Sequence, residues 1–391
     1  MLTGIYNNMR NKNETTLLYC NTKMQNDYDL ECDIGHEKNT ELEVKKVANG
    51  IVHPLKKNVK GVSALTGGVT DSNFGFVELS LTKRVAPASF DMVYQDWFRG
   101  PIKETDLNSI KYIDEDVVFL GALNGHYGHF ILEGLSRLWY FLNPENAHLK
   151  AAYISEGSNE KFISFFSLFG LKDQDIIEII EPTRFRSVVI PEQSIRLHDF
   201  YHILYKKTID RIKESVTSGS SKKVFFSKQL SKAGRAIGES VIENVFKNNG
   251  YEIFYPERMT PYETVCIIKG CDNFVASSGT NIHNSIFLDD KKSMVCLNRS
   301  EHIHPIQIMI DRMRGLNAAY IDVFVTSSAE NFGDKPCFVA MTKYLKKYFI
   351  DKEMIFSTSQ NHIISFLYFL KYLTFPFYIT LVKIKSSIIH K

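Results

Sequence analysis

Strands and helices alternate regularly from about residue 223 to residue 298. Short apolar runs, which are typical of buried strands, alternate with stretches that repeat apolar positions at helical spacing. In chain order the segments are the strand KVFFSK, the helix GESVIENVFKNNG, the strand YEIFYP, the helix TPYETVCIIKGC, the strand NFVASSG, a helix beginning in TNIHNSIFLDD and the strand SMVCLN. Such alternation with short connections predicts a parallel sheet flanked by helices.

The first half of the chain shows a less regular pattern of the same kind. Residues 1–45 are polar and irregular, and short β-like runs follow from about residue 50 to residue 120. Helices are predicted over 161–170 and 198–215, with the strands DIIEII and SVVIP between them. The Ser/Gly-rich segment VTSGSSKK then predicts a linker. Two such layers in tandem predict a ligand site in the cleft between them.

The predicted fold is therefore α/β, with two Rossmann-like domains that face each other across a cleft. A chain of 391 residues suits two domains of ordinary size. The predicted boundaries are an irregular N-terminal lead-in at 1–45, an α/β domain at 46–215, a second α/β domain at 216–345, and an aromatic and basic helical tail at 346–391.

Composition indicates a globular protein and excludes one function class. Hydrophobic residues make up 44% of the chain and charged residues 23%, and 47 basic against 44 acidic residues give a net charge of +3. This balance argues against a nucleic-acid-binding protein, which has a clustered basic surface. The six cysteines form no CxxC pair or zinc framework, and the N-terminus has no secretory signal pattern. We expect a cytoplasmic protein with reduced cysteines.

The C-terminal segment IISFLYFLKYLTFPFYITLVKIKSSIIHK, residues 363–391, is aromatic and basic. No acidic residue follows Glu353, and Lys371 and Pro376 interrupt the apolar run, which argues against a membrane-spanning helix. Two predictions stay open. The segment can lie on a membrane surface, where lysines meet anionic lipid and aromatic rings sit among the headgroups. Alternatively, it is a helix packed on the core of its domain.

Titratable side chains fall on one side of the segment NGHYGHFILEGLSRLW, residues 124–139. A helix that begins near residue 126 turns ~100° per residue. It brings His126, His129, Glu133 and Arg137 into one narrow arc and leaves most apolar side chains opposite. His129 and Glu133 are four residues apart and are therefore neighbours on the helix surface. A carboxylate beside an imidazole orients the ring and raises its basicity, which suits a general base.

Two other interpretations of this arc stay open. It can be a solvated helix face that carries an ordinary i,i+4 pair. It can also be a zinc site, because HxxHxxxE places ligand-type side chains on one face. The segment lacks the HExxH order, however, and no further ligand is evident, so we expect no bound metal.

The segment NFVASSGTNIHNSIF, residues 273–287, joins a buried strand to a predicted helix through small residues. Backbone N–H groups at such a helix start attract anions. Ser278, Gly279 and Thr280 are therefore candidate phosphate ligands, with His283 and Asn284 on the first turn of the helix. An ordinary strand–helix turn with polar caps is the alternative, since neither a GxGxxG nor a Walker pattern is present.

The segment KVFFSKQLSKAGRAIGES, residues 223–240, ends a predicted strand with basic residues. Lys228 lies at the strand end, and Arg235 lies in the loop before the next helix. Cations at the C-terminal edge of a parallel sheet commonly neutralise phosphates. Arg235 is the stronger candidate because its planar guanidinium can clasp a diphosphate, whereas loop lysines are usually only solvated.

These segments, in this order, resemble the bacterial branch of the glycosyltransferase 61 family. The family's GHFLLESLSRLW is matched by GHYGHFILEGLSRLW, and its G(S/A)xxHN segment by SSGTNIHNSIF. Between them, a basic strand end and an Arg followed by Asn-Glu correspond to Lys228, Arg235 and IGES, and GYEIFYPERMTPYETV matches a strand and an acid-bearing helix. The resemblance covers about residues 110–300. Gly238 stands where the family often has Asn, and Lys228 where Arg is usual.

The resemblance implies a two-domain GT-B enzyme of the hexosyl- or pentosyltransferase class. Such an enzyme moves a sugar from a nucleotide donor, usually UDP-linked, to an acceptor hydroxyl with inversion and without a bound metal or other cofactor. Bacterial relatives build capsule, O-antigen or lipooligosaccharide. The implied acceptor is therefore a cell-surface glycan or glycolipid. Together with the signal-free N-terminus and the basic tail, this predicts a location in the cytoplasm or on the cytoplasmic face of the inner membrane. Residues 46–215 would hold the acceptor and residues 216–345 the nucleotide sugar.

The resemblance and the side-chain chemistry together assign roles to the candidate residues. The catalytic residues are His129 and Glu133, one as the base and the other as its partner. The substrate-binding residues are His126, Asn124 and Arg137, of which Arg137 also fixes Glu133. The donor-binding residues are Lys228, Arg235, Glu263 (for the ribose hydroxyls), Ser278, Gly279, Thr280, His283 and Asn284.

Two alternative functions belong to other classes. A nucleotide-sugar-binding scaffold would bind the donor without acceptor-dependent release of nucleoside diphosphate. A metal-dependent hydrolase would use His126, His129 and Glu133 as ligands, and chelation would inactivate it.

Overall fold

The computed structural model describes residues 16–57, 65–89, 98–99, 107–156, 160–231, 234–327, 336–357 and 367–374. The strands, in chain order, are β1 (Leu17–Tyr19), β2 (His36–Glu37), β3 (Val44–Ala48), β4 (Ile51–Lys57), β5 (Leu65–Thr70), β6 (Phe98–Arg99), β7 (Lys111–Asn124), β8 (Lys150–Glu156), β9 (Ile176–Glu178), β10 (Thr183–Pro191), β11 (Ile195–Arg196), β12 (Phe200–Tyr201), β13 (Lys223–Phe226), β14 (Ala236–Ile237), β15 (Glu252–Phe254), β16 (Asn273–Ser277), β17 (Ser293–Asn298), β18 (Asn317–Asp322), β19 (Phe324–Ser327) and β20 (Cys337–Val339). The helices are α1 (Thr22–Ile34), α2 (Tyr127–His129), α3 (Glu160–Phe169), α4 (Ile203–Glu214), α5 (Glu239–Asn248), α6 (Pro261–Gly270), α7 (Pro305–Arg314) and α8 (Lys343–Asp351). The predicted α/β class is confirmed.

A parallel sheet of six strands, the C-terminal sheet, has the order β1-β18-β17-β16-β13-β15. Its strands β13, β15, β16 and β17 are the four predicted from the alternating pattern. Local capping signals work as predicted: Thr260 caps α6 with Pro261 in the first turn, and Gly250 follows α5 in the left-handed conformation. These features place the ends of β13, β16 and β17 along one edge of the sheet.

Residues 17–34 of the predicted N-terminal lead-in contribute β1 to this same sheet and form α1. Leu17 of β1 pairs with Ala319 of β18, and α1 packs against α7. Arg312 of α7 donates hydrogen bonds to the carbonyls of Cys32 and Gly35. A three-residue strand gives no periodic signal of its own, because its partner lies about 300 residues away along the chain.

A mixed sheet, the N-terminal sheet, has the order β6-β5-β4-β10-β7-β8-β9, with β3 also paired to β10. Strand β7, which lies between β10 and β8, has 14 residues and is buried over Val117–Leu123. Parallel pairs join β7 to β8 and β10, whereas β4 pairs antiparallel with β10 and β5. The run DEDVVFLG therefore forms the middle of the sheet, and the segment that follows it emerges at a strand end.

Apolar side chains join the two sheets through a shared core. The largest buried cluster contains Leu123 of β7 together with Phe226 and Phe274 of the C-terminal sheet. Phe165 of α3 stacks on Phe287, with ring centroids 5.8 Å apart. Separate buried clusters cover the outer face of each sheet. Burial of each such side chain stabilises the fold by roughly 1.5–3 kcal/mol, so this central layer holds the strand ends of both sheets in fixed relation.

The helix predicted from residue 126 is broken into three short pieces. The α-helical turn α2 leads into a π-helix over Phe130–Gly134, and a 3-10 helix follows over Leu138–Leu142. Gly134 fits close to Leu123, since a Cβ there would lie 3.1 Å from Leu123 Cδ2. The change of helix type rotates Arg137 away from the arc predicted for it, whereas His129 and Glu133 remain neighbours.

The C-terminal tail is only partly described. Helix α8 packs Leu345, Tyr348 and Phe349 into the outer cluster of the C-terminal sheet. Residues 367–374 are helical, and residues 358–366 and 375–391 lie outside the described part of the chain. Within the described residues, no helix is both long and apolar enough to span a bilayer.

Candidate active site

A cavity of about 650 Å³ lies where strand ends of the two sheets meet. One wall includes His126 and His129, which follow β7. The other includes Lys228 after β13, the turn after β16, and Arg299 after β17. Ligands of parallel sheets bind at the carboxyl ends of the strands, and this volume is ordinary for a small-molecule site. The cavity is therefore the candidate active site.

The turn from β7 into α2 brings the histidines to the cavity. Asn124 Oδ1 accepts a hydrogen bond from the His126 N–H at 2.6 Å. Gly128 allows the opposite wall to come close, because a Cβ there would lie 3.3 Å from Thr280 Oγ1. Thr280 Oγ1 is also 3.5 Å from His126 Nε2. Asn124, predicted to bind substrate, lines the cavity, but its side-chain oxygen holds this turn.

His129, Glu133 and Arg84 form a connected group on this wall. His129 Nδ1 lies 2.7 Å from Glu133 Oε2. Arg84 clasps the same carboxylate with two nitrogens: Nε is 2.5 Å from Oε1 and Nη2 is 2.7 Å from Oε2. Glu133 is only 2% exposed and does not line the cavity, whereas His129 does. The histidine therefore meets the ligand space, and the glutamate supports it from behind.

The charge of Glu133 is fixed by these neighbours. Burial opposes ionisation, but the Arg84 charge and the His129 hydrogen bond hold the pKa of Glu133 below its ordinary value. An ionised carboxylate only accepts hydrogen bonds, so the His129 proton belongs on Nδ1. The Nε2 lone pair on the other side of the ring is then the proton acceptor. This geometry favours His129 over Glu133 as a base.

Arg137 does not have the role that the sequence predicts for it. Its guanidinium is 1% exposed and donates hydrogen bonds to the backbone carbonyls of Pro191, Leu79 and Leu81. Burial lowers the pKa of Arg137 to about 10. Its side chain lies outside the cavity wall and makes no hydrogen bond to Glu133. Arg137 thus ties loops of the N-terminal sheet together, and the predicted contact with Glu133 is made by Arg84.

Two cations face the cavity from the C-terminal sheet. Lys228 is 6% exposed and Arg299 is 7% exposed, and both line the cavity. Arg299 Nε donates to the Ser278 carbonyl at 2.8 Å, which orients the guanidinium. Burial, followed by the nearby Arg299 charge, lowers the pKa of Lys228 to about 8. Among the described residues, no hydrogen-bond acceptor meets the Lys228 ammonium, so an anionic ligand would relieve both charges.

A buried carboxylate underlies this cationic wall. Glu239 Oε2 accepts a hydrogen bond from the Lys228 backbone N–H at 2.7 Å, and Oε1 accepts one from Ser277 Oγ. Burial raises the pKa of Glu239 to about 7, although both hydrogen bonds favour the charged form. The preceding Gly238 has a φ of +98°, and a Cβ there would lie 2.2 Å from the Val339 carbonyl. A residue larger than glycine cannot fit at this position beside β20.

The turn after β16 lines the cavity without the predicted helix start. Ile282–Phe287 form a 3-10 helix of six residues, too short to act as a helix-terminal anion site. Ser278 is buried and contacts Arg299. Gly279, with a φ of +103°, lets the guanidinium pass close by. The positive charge at this wall therefore comes from side chains instead of a helix dipole.

Asn284 and Tyr127 connect the two walls directly. The Tyr127 hydroxyl donates to Asn284 Oδ1 at 2.6 Å. Asn284 Nδ2 donates to the Asn281 carbonyl, which fixes the amide orientation. Asn284, predicted as a donor ligand, thus lines the cavity and also joins its two sides.

His283 is buried in a polar network that the sequence does not reveal. Its Nδ1 lies 3.0 Å from Gln307 Oε1, and its ring packs on His304 with centroids 4.7 Å apart. Burial lowers the pKa of His283 to about 4 and that of His304 well below its ordinary value. Both rings line the cavity as neutral groups. His283 is therefore placed at the site as predicted, but among uncharged partners.

Three predicted donor residues do not line the cavity: Arg235, Glu263 and Ser278, of which Ser278 is buried and bonded to Arg299. Arg235 precedes β14, and its backbone carbonyl accepts a hydrogen bond from the Cys337 N–H. Glu263 is exposed and completes the capping box of α6, where Oε2 accepts from Thr260 N at 2.8 Å. Arg299 and Glu257 occupy the cavity wall instead. The positions of Arg299 and Glu257 at the cavity could not be inferred from local spacing, because each depends on how distant loops pack together.

The side chains of the alternative zinc interpretation are not arranged to hold a metal. Both oxygens of Glu133 are engaged by Arg84, and His129 Nδ1 faces the carboxylate instead of a shared centre. Within the described ranges, no group of three His, Cys, Asp or Glu side chains is positioned to coordinate one ion. The residues at this site fit an imidazole base and an anion better than a metal centre.

An α/β fold with a base on one wall and cations on the other is typical of a group-transfer enzyme. Residues 127–295 match the model of the glycosyltransferase 61 family. The predicted resemblance to this family is confirmed, without its bacterial branch. The match indicates a glycosyltransferase, which binds a sugar donor and an acceptor. No curated protein matches the chain.

Proposed function

We propose that the protein is an inverting hexosyl- or pentosyltransferase of metal-independent, GT-B type. The donor is a nucleotide sugar, UDP-linked, and the acceptor is a hydroxyl of a cell-surface glycan or glycolipid, as in capsule or lipopolysaccharide synthesis. The reaction takes place in the cytoplasm. The two domains of this proposal meet at the segment VTSGSSKK, between α4 and β13, and each has an apolar cluster on its outer face.

One observation carries the proposal: His129 and the pair Lys228–Arg299 line the same cavity from opposite walls. A glycosyl transfer to a hydroxyl needs a proton acceptor at the nucleophile and positive charge at the leaving group. The imidazole supplies the first, and the two buried cations supply the second without a metal ion.

The reaction follows from this division. The acceptor hydroxyl gives its proton to His129 Nε2, and its oxygen forms a bond to the anomeric carbon. The bond from that carbon to the phosphate oxygen breaks, and the electron pair leaves with the nucleoside diphosphate. Attack opposite to the leaving group inverts the anomeric centre. Glu133 stabilises the resulting imidazolium through Nδ1, and Lys228 and Arg299 neutralise the diphosphate.

The site residues divide accordingly. Gly279, Thr280, His283 and Asn284 line the donor side of the cavity, Ser278 holds Arg299 in place, and His126 lies where the walls meet. Glu257 takes the place proposed for an acid near the ribose, because it lines the cavity and Glu263 does not.

The direct test replaces the base. His129→Asn removes the proton acceptor but keeps a polar side chain. We expect acceptor-dependent release of nucleoside diphosphate to fall about 100- to 10,000-fold, with donor binding retained. His148→Asn is the matched control, because His148 is exposed and does not line the cavity. Wild-type turnover in His129→Asn would remove His129 from the mechanism.

The alternatives give different results in the same assays. A panel of nucleotide sugars, scored by the rise in thermal unfolding midpoint, identifies the donor, since a ligand of the folded state raises that midpoint. A binding scaffold would respond to the panel and yet release no nucleoside diphosphate with any glycoside acceptor. A metal-dependent hydrolase would lose activity on chelation, which we do not expect.

A further inference from the structure

The helix at residues 367–374 presents one apolar face to solvent. Leu367, Leu370 and Leu373 are 58%, 43% and 50% exposed. They follow each other at intervals of three residues and therefore share one side of the helix. We name this surface the leucine face. Large apolar side chains grouped in this way on a surface commonly mark an interaction site.

The opposite side of the same helix is anchored to the protein. Phe369 and Tyr372 pack on Phe338 of β20, with ring centroids 5.4 and 6.1 Å away. Tyr368 packs against the outer cluster of the C-terminal sheet, which fixes a third position of the helix. These contacts determine which way the helix faces. The leucine face points outward because the aromatic side is already used.

The C-terminal segment that contains this helix is rich in basic residues. Eight of the 47 basic residues and two of the 44 acidic residues lie in 343–391, so this segment carries a net charge of +6. The remaining 342 residues then carry −3. Lys371 lies on the helix itself, with its ammonium 5.6 Å from the centre of the Tyr368 ring. The net positive charge of the sequence thus falls in the same C-terminal segment that contains the leucine face.

Two further exposed apolar side chains belong to the same segment. Ile350 of α8 is 66% exposed and Ile355 is 78% exposed. Lys346, Lys347 and Lys352 flank them in the sequence. Apolar side chains mixed with lysines are typical of surfaces that rest on lipid, where the apolar groups enter the acyl boundary and the ammonium groups meet anionic headgroups.

We infer that the leucine face is a docking surface for an anionic lipid bilayer. Residues 367–374 lie parallel to the membrane, with the three leucines inserted and Lys371 at the headgroup level. This inference goes beyond the transfer reaction and does not depend on it. A second copy of the chain is the other partner that could cover this apolar face. Both copies would carry a charge of +6 in residues 343–391, which opposes their pairing but favours contact with an anionic membrane.

The experiment uses the full 391-residue chain and sedimented vesicles. Vesicles of phosphatidylglycerol and phosphatidylcholine are compared with vesicles of phosphatidylcholine alone, at low and high salt. We expect the protein to bind the anionic vesicles. Binding to vesicles without anionic lipid should be at least about tenfold weaker, and high salt should weaken binding to the anionic vesicles because it screens the charges. Absence of binding to the anionic vesicles would overturn the inference.

The variant Leu367→Glu/Leu370→Glu/Leu373→Glu tests the face itself. We expect it to lose at least tenfold in vesicle binding and to keep its thermal unfolding midpoint, because the three side chains are already exposed. Leu367→Glu alone serves if the triple variant does not fold. The matched control is Leu30→Glu/Ile180→Glu, which changes exposed apolar residues elsewhere and should bind as wild type. Unchanged vesicle binding by the triple variant would contradict the inference.

Sedimentation velocity tests the alternative that the leucine face binds a second copy of the chain. A dimer of the wild type that dissociates in the triple variant, together with no vesicle binding, would assign the face to self-association. Transfer to a soluble acceptor should be equal in the triple variant and the wild type. Failure of the membrane inference is therefore distinguishable from failure of the proposed activity.

Discussion

Glu133 and Glu239 are both buried beside the same cavity, but they are in opposite electrostatic states. Glu133 meets the Arg84 guanidinium through two hydrogen bonds, and its pKa is held low. Glu239 accepts hydrogen bonds from a backbone N–H and a hydroxyl, and burial raises its pKa to about 7. Burial alone disfavours a carboxylate, so a directly bonded cation decides which state results.

This difference agrees with the proposed functions of the two cavity walls, one of which carries the base and the other the diphosphate-binding cations. A base needs a partner of constant charge, because its tautomer must not change with conditions. A phosphate site gains from a charge that responds to the ligand. Lys228, with a pKa of about 8, can become fully protonated when an anion binds beside it. The comparison therefore predicts that changes at the wall of His129 and Glu133 affect catalysis and stability. Changes at the wall of Lys228 and Glu239 should affect donor binding and the pH dependence of stability.

The largest effect is expected from Glu133→Gln. This change leaves the buried Arg84 charge without its carboxylate, which destabilises the fold by about 3–5 kcal/mol. It also removes the acceptor that orients His129, so kcat should fall about 100-fold or more. Urea unfolding and acceptor-dependent diphosphate release measure the two effects. Glu263→Gln is the control, because that carboxylate is exposed in a capping box. A variant as stable and as active as wild type would show that Arg84 and His129 do not depend on Glu133.

Glu239→Gln should instead change the pH dependence of stability. The pKa of Glu239 rises from 4.5 to about 7 on folding. Its contribution to the free energy of unfolding is therefore fully present below about pH 4.5 and is lost as the pH rises through 7. The shift corresponds to about 3 kcal/mol. Glutamine cannot ionise, so the variant should gain stability relative to wild type between pH 5 and pH 8.

Urea unfolding of both proteins at those two pH values checks this prediction. The pH dependence from Glu133 has the opposite sign. Because folding lowers its pKa, its contribution to stability is present at pH 8 and is lost as the pH falls through the pKa of the folded state. If the difference between Glu239→Gln and wild type is the same at both pH values, the contrast between the two glutamates is wrong.

A smaller effect is expected from the cations of the second wall. Lys228→Met and Arg299→Met each remove a charged partner of the proposed diphosphate, which is worth about 1.5–3 kcal/mol or roughly 10- to 100-fold in donor affinity. Titration calorimetry with UDP or the donor from the panel measures it. Arg235→Met is the matched control, since Arg235 lies off the cavity wall. Equal losses in Arg235→Met and Arg299→Met would return the donor role to Arg235.

The sequence predicts those parts of the site that local periodicity records. The strands β13, β15, β16 and β17 follow from apolar runs, and the pair His129–Glu133 follows from spacing. Arg84 could not be predicted, because it lies 49 residues before Glu133 and outside any regular element. The role predicted for Arg137 differs from the observed one for a related reason. A π-helix at Gly134 changes the turn per residue, and no spacing rule for an α-helix records that change.

Residues that depend on long-range packing were missed in the same way. Arg299 reaches the cavity because Ser278 holds its side chain, and the buried Glu239 bonds residues at the ends of β13 and β16. Glu263 carries the sequence signature of a capping box, TPYE, and the structure uses it as one. That local signal was available and outweighs the functional role suggested by resemblance.

The smallest effect is expected where the two walls touch. The Tyr127 hydroxyl bonds Asn284 Oδ1 across the cavity, and Tyr127→Phe leaves that oxygen unpaired at a cost of about 1–3 kcal/mol. Tyr205→Phe is the matched control, because Tyr205 bonds the Ile131 carbonyl at the same 2.6 Å without crossing the cavity. Both variants should lose similar stability in urea unfolding. Only Tyr127→Phe should also raise the KM for the donor, since Asn284 belongs to the donor wall. An equal KM in the two variants would mean that the bond closes the fold without shaping the donor site, and the two walls would then act independently.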